Sequence, residues 1–144
     1  FMDYDWKLED ISRRIKDRNM VAVTQEMEEL VVSIFRDREE FPEKRAVIQK
    51  FASYYLPASV KLLNRYEELE NEPRRTKEQE EWMGRIQSSV SAVRDSLKAV
   101  WTSMKGPKDL DLSAEMTVLE NKLSGDGLLC DFQSAGLKTE NTAL

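Results

Sequence analysis

The 144-residue chain contains no histidine and a single cysteine, Cys130. The first absence removes the side chain most used for acid–base work near neutral pH and for metal-dependent phosphate chemistry. The second excludes an intrachain disulfide and is consistent with a reducing, cytoplasmic setting. Only five glycines and four prolines punctuate the chain, which favours long helices over a many-turned β fold. No apolar run approaches the roughly 18 residues of a membrane-spanning helix, and no signal peptide is visible. Neither a GxxxxGK[ST] phosphate loop nor a GxSxG nucleophile turn occurs. An excess of positive charge is missing too. Lys and Arg number 22 against 27 Asp and Glu, a net charge of −5 with both signs mixed along the chain. Nucleic acid and anionic membrane surfaces both call for a basic footprint, so neither is an expected partner.

What is present is amphipathic. Hydrophobic residues make up 40% of the chain, which excludes a disordered composition, and the length suits one domain with a real core. Tyr4, Leu8, Ile11 and Ile15 step by three and four along a first helix, with a break expected at Arg18-Asn19. Val23, Met27, Leu30, Val31, Ile34 and Phe35 line a second helix, expected to end near Phe41-Pro42 because a proline pushes its predecessor out of the helical region.

A third segment covers 43–71. Its stripe of Phe51, Tyr55, Ala58, Leu62, Tyr66 and Leu69 keeps register across Pro57. Either one helix kinks at Pro57, or one helix ends near Tyr55 and another begins with Pro57 in its first turn. The unbroken stripe favours a kinked or briefly interrupted arm. A polar turn, 71–76, follows. Thr76 with Gln79 three residues on spells a capping box. Met83, Ile86, Val90, Val93, Leu97, Val100 and Met104 then form a heptad seam flanked by Trp82 and Trp101, closed by Gly106-Pro107. A fifth helix, capped by Asp109 or Asp111, presents Leu112, Met116, Leu119 and Leu123 and stops at Gly125.

These elements predict an all-α fold: an elongated antiparallel bundle of four to six helices, with the two longest forming a hairpin of about 40 Å. A single domain is expected over 1–128, and a loosely docked tail over 129–144.

The block Phe51, Tyr54-Tyr55-Leu56-Pro57, Lys61-Leu62-Leu63, Tyr66 and Leu69 resembles the signature of the XpaC-like family, the 5-bromo-4-chloroindolyl phosphate hydrolysis proteins. A second match comprises Glu115, Val118-Leu119, Leu123 and Asp126-Gly127-Leu128. The resemblance spans 51–128. It implies phosphate-ester hydrolysis but assigns no catalytic residue. Many members carry apolar segments near the N-terminus, so it also implies a place at the cytoplasmic face of a membrane. This chain holds no such segment. It opens on Phe1, as a fragment of a longer protein would.

The residues lend the implied chemistry little. Asp109, Asp111 and Glu115 form the best acidic cluster for a Mg²⁺ site, but their simpler role is helix capping. Cys130 has no following arginine and sits beside Asp131, which raises rather than lowers a thiol pKa. Lys61 could hold an anion beside Tyr54 and Arg65, yet it points away from the apolar stripe and reads as a solvated lysine. Tyr54, Tyr55 and Tyr66 read as core or half-buried aromatics. The leading expectation is a non-catalytic helical interaction or scaffold module, without a cofactor, that binds a protein partner or itself. The alternative is a phosphoester hydrolase acting on 5-bromo-4-chloroindolyl phosphate-type substrates, for which Mg²⁺ is the expected cofactor.

Overall fold

The computed structural model describes residues 3–107 and 111–125. Among these residues all regular structure is helical, as expected. The expected 129–144 tail, Cys130, Asp109, Asp126 and Gly127 lie outside the described residues.

Helix α1 (Asp3–Arg14) buries Leu8 and Ile11. The break falls at 15–17, just before the expected Arg18-Asn19. Asp17 sets it: its carboxylate accepts the Met20 N–H at 2.9 Å and caps α2 (Arg18–Asp37). Helix α2 buries the whole expected stripe. It ends at Asp37, short of Phe41-Pro42, and two 3₁₀ turns, Arg38–Glu40 and Pro42–Lys44, fill the interval.

Pro57 is resolved in a way that combines both expectations. Helix α3 (Arg45–Lys50) runs into a π turn, Phe51–Tyr55, and then into α4 (Leu56–Glu70), with Pro57 in the first turn of α4. The Leu56 N–H bonds back five residues to the Phe51 carbonyl. A proline within an α-helix lacks the donor for the carbonyl four residues back, and its ring clashes there. Widening the preceding turn to a π geometry absorbs one extra residue and relieves that clash without breaking the rod. Phe51, Ala52, Tyr55, Leu56, Ala58, Ser59, Leu62, Leu63, Tyr66 and Leu69 are buried along it.

Helix α5 (Lys77–Lys105) opens with the expected capping box: Thr76 Oγ1 accepts the Gln79 N–H at 3.1 Å, and Gln79 Oε1 accepts the Thr76 N–H at 2.9 Å. Its 29 residues extend about 43 Å. Ile86, Val90, Val93, Leu97, Val100 and Met104 are buried within the chain, and Met83 is half-buried. The seam is therefore the chain's own core. Helix α6 (Ser113–Gly125) returns along α5 and buries Leu119 and Leu123.

The chain makes two antiparallel hairpins, α1–α2 and the α3–π–α4 arm with α5, lying side by side. Between hairpins the contacts are parallel. Arg94 of α5 bonds Glu26 of α2 at 3.1 Å, and farther along both helices Lys105 bonds Asp37 at 3.0 Å. On the other side α4 meets the α1–α2 junction, where Glu70 accepts the backbone N–H groups of Lys16 and Asp17, each at 2.9 Å. The 3₁₀ turns thus cross one end of the bundle from one hairpin to the other.

Candidate functional site

The block that resembles the family signature lies on the arm and serves mainly to pack. Phe51, Tyr55, Leu56, Leu62, Leu63, Tyr66 and Leu69 are all buried. The Phe51 and Tyr55 rings stand 5.1 Å apart, and Tyr54 meets Tyr55 edge-on at 4.9 Å. The Tyr55 hydroxyl reaches Glu120 of α6 at 3.5 Å, and Lys50 bonds the same carboxylate oxygen at 3.0 Å. Burial, followed by the charge of Glu120, pushes the Tyr55 phenol well above its ordinary value. Burial raises the Tyr54 and Tyr66 phenols as well. Gln87 donates to the Tyr66 hydroxyl at 2.6 Å. All three phenols stay protonated at neutral pH. They are hydrogen-bonding and packing groups rather than ready nucleophiles.

Lys61 is exposed, as its position on the helical wheel predicts. It lines a shallow groove between α4 and α5 with Pro57, Arg65, Glu68 and Trp82. Arg65 stacks over the Trp82 ring at 4.9 Å and pairs with Glu68 at 3.3 Å. Tyr54 is not among the residues that line this groove.

Asp111 accepts the Ser113 N–H at 2.9 Å, and that hydrogen bond lowers its pKa. This is the capping role expected from sequence. Glu115 is exposed in a groove of α5 and α6, beside Asp95 and Lys122. Among the described residues no group of three or more acids or other ligating side chains is arranged to hold a metal ion.

Sequence reasoning missed a second surface. Trp6 on α1 is 57% exposed and Val32 on α2 is 43% exposed. Val32 lies in a groove of about 410 Å³ whose floor is Val31 and Phe35 and whose rim is Asp5, Arg36, Arg38 and Glu39. The signal was available. Trp6 falls outside the Tyr4, Leu8, Ile11, Ile15 stripe, and Val32 falls beside the α2 stripe, so both are apolar residues out of phase with the core. Tryptophan is highly buried on average, and Trp6 is not.

Among the described residues no helix is long and apolar enough to cross a membrane. Comparison with curated proteins and with solved structures finds no match. The sequence family described as 5-bromo-4-chloroindolyl phosphate hydrolysis protein matches residues 6–119, from the first helix to the last described one. That match takes in both hairpins, and the chain belongs to this family.

Proposed function

We propose that this chain is a helical protein-interaction module, and that its α1–α2 face is the binding surface. The observation that carries the reading is the groove of α1 and α2 in which the exposed Val32 lies beside Val31 and Phe35 within a charged rim. Tryptophan and arginine dominate binding energy where they meet a well-packed partner, and the charged rim supplies orientation. The long seam of α5 is occupied by the chain's own core and is not available to a partner. We place the module at the cytoplasmic face of a membrane, a location that rests on the family resemblance.

A photo-crosslinking residue placed at position 6 or 32 of the protein in its host cell tests the reading. Discrete adducts from both positions, absent from the exposed control position 117, are the expected result. Equal or no labelling at all three positions would overturn it.

The family description favours a second reading, hydrolysis of phosphate monoesters. Purified protein incubated with 5-bromo-4-chloroindolyl phosphate or p-nitrophenyl phosphate, with Mg²⁺, Mn²⁺ or Zn²⁺ against a chelated control, separates the two. The interaction reading expects no turnover above the control. Metal-dependent turnover that falls on substitution of Asp109, Asp111 or Glu115 would establish the hydrolase instead.

A further inference from the structure

We infer that the groove between α4 and α5 is a binding site for a small aromatic anion, a carboxylate or a phosphate ester. The groove holds about 550 Å³, the size of a small-molecule site. Its lining is of two kinds. Pro57 and Val60 of α4 and Trp82 of α5 supply apolar surface. The Trp82 indole N–H is buried without a partner, so the ring offers the groove surface rather than a hydrogen bond. Lys61, Asn64 and Arg65 of α4 supply N–H donors.

These donors are available in different degrees. Lys61 is exposed and makes no hydrogen bond or ion pair among the described residues. Arg14 donates to the Asn64 side-chain oxygen at 3.1 Å, which leaves the Asn64 NH₂ group as its unused end. Arg65 is engaged: its guanidinium lies 4.9 Å from the centre of the Trp82 ring, and it pairs with Glu68 at 3.3 Å. That pair is open to solvent, with side chains 49% and 63% exposed, so a ligand can replace the carboxylate at little cost. Lys61 and Arg65 stand one helical turn apart on the same side of α4. Two cations and an amide against one carboxylate leave the groove net positive in a chain whose overall charge is −5.

This lining selects its ligand by chemistry. A cation would meet Lys61 and Arg65, and a purely apolar molecule would leave the donors unused. An anion answers the donors, and arginine with lysine suits the oxygens of a carboxylate or phosphate. A flat apolar body answers Pro57, Val60 and the Trp82 ring, on which Arg65 already stacks.

Titration of the isotopically labelled full chain with phenyl phosphate and with benzoate, followed by heteronuclear NMR, tests the site. Saturable shifts of the Trp82 indole N–H and of the amides of 57–68 are expected with at least one of the two. Inorganic phosphate and acetate, which lack the ring, should bind at least about tenfold more weakly. Lys61→Ala should weaken binding of the aromatic anion about tenfold. Glu68→Gln should strengthen it about threefold, by freeing Arg65 and removing a like charge. Both positions are exposed, so unchanged helical circular dichroism and melting are expected of each variant. Tighter binding on loss of Glu68 is a result that a merely structural Arg65–Glu68 pair would not give. No saturable shift with either aromatic anion would overturn the inference. So would shifts that map away from 57–68 and Trp82, or an affinity indifferent to either substitution. Equal binding of the ringless anions would also overturn it, as the mark of an adventitious ion only.

Discussion

Lys50 of the arm and Glu120 of α6 stand 3.0 Å apart, and this contact joins the end of α3 to the last described helix. It looks like a clasp, but both side chains are about half exposed, at 48% and 52%. Pairs of that kind contribute roughly 0–1 kcal/mol. Leu119 and Leu123 beneath it are almost wholly buried. Glu120→Gln should therefore alter stability by less than about 1 kcal/mol, whereas Leu123→Ala should cost about 2–5 kcal/mol. Chemical denaturation gives the totals, and amide exchange along α6 shows whether the loss is local. An equal loss from both substitutions would make the ion pair, not the leucines, the anchor of α6.

The π turn yields a deletion test. Removing Ser53 takes out the extra residue and returns the arm to an ordinary α-helix. Pro57 would then lie inside that helix, where it costs about 3 kcal/mol. The deletion combined with Pro57→Ala should recover most of the loss, while Pro57→Ala alone should change stability by about 1 kcal/mol or less. A deletion that is no better tolerated with alanine at position 57 would show that the π turn answers to packing rather than to the proline.

The seam on α5 is the chain's own core. Ile86→Ala should destabilise the monomer by about 2–5 kcal/mol, with no dependence on protein concentration. Met83→Ala, at the half-buried end of the same stripe, should cost much less. A loss at Ile86 that shrinks as concentration rises would assign the seam to an intermolecular contact.

The stability should carry an acid limb traceable to Asp37. Hydrogen bonds from Arg36 and then Lys105 hold its carboxyl below the ordinary value of 3.8. A depressed carboxylate contributes stability above its unfolded pKa and loses it as pH falls through the folded one. Asp37→Asn should therefore lower the melting temperature near neutrality and flatten its decline below about pH 4. Parallel pH profiles for the two proteins would show that the carboxylate has no net role.

Much of the fold is legible in the sequence because burial here follows helical period. The stripes of α2 and α5 needed only the spacing of apolar side chains, and Thr76 with Gln79 announced its cap. Boundaries set by competing local bonds were less visible. Asp17 looks like one more surface acid until its carboxylate is seen on the Met20 N–H. The π turn was hidden because two helical phases meet there and each looks regular on its own side. The parallel packing of the hairpins was not legible either, since hydrophobic period states which face is buried but not against which neighbour. For the site the loss is greater. The family-signature tyrosines and leucines are conspicuous but serve the core. Trp6 and Val32 fall outside the apolar stripes, and hydrophobic period alone gives such residues no role.

The side-by-side arrangement of the hairpins also has a kinetic consequence. Each hairpin is contiguous in sequence, so its internal contacts form without closing a long loop, whereas the α2–α5 face joins residues some seventy positions apart. Contacts that close so long a loop are expected to form after those within each hairpin. The contacts of Glu26 with Arg94 and of Asp37 with Lys105 are then made late, so weakening them should speed unfolding and leave the folding rate nearly unchanged in stopped-flow measurements. The 3₁₀ crossing at 38–44 is thereby the tether between the two hairpins, and its short length keeps that loop closure inexpensive.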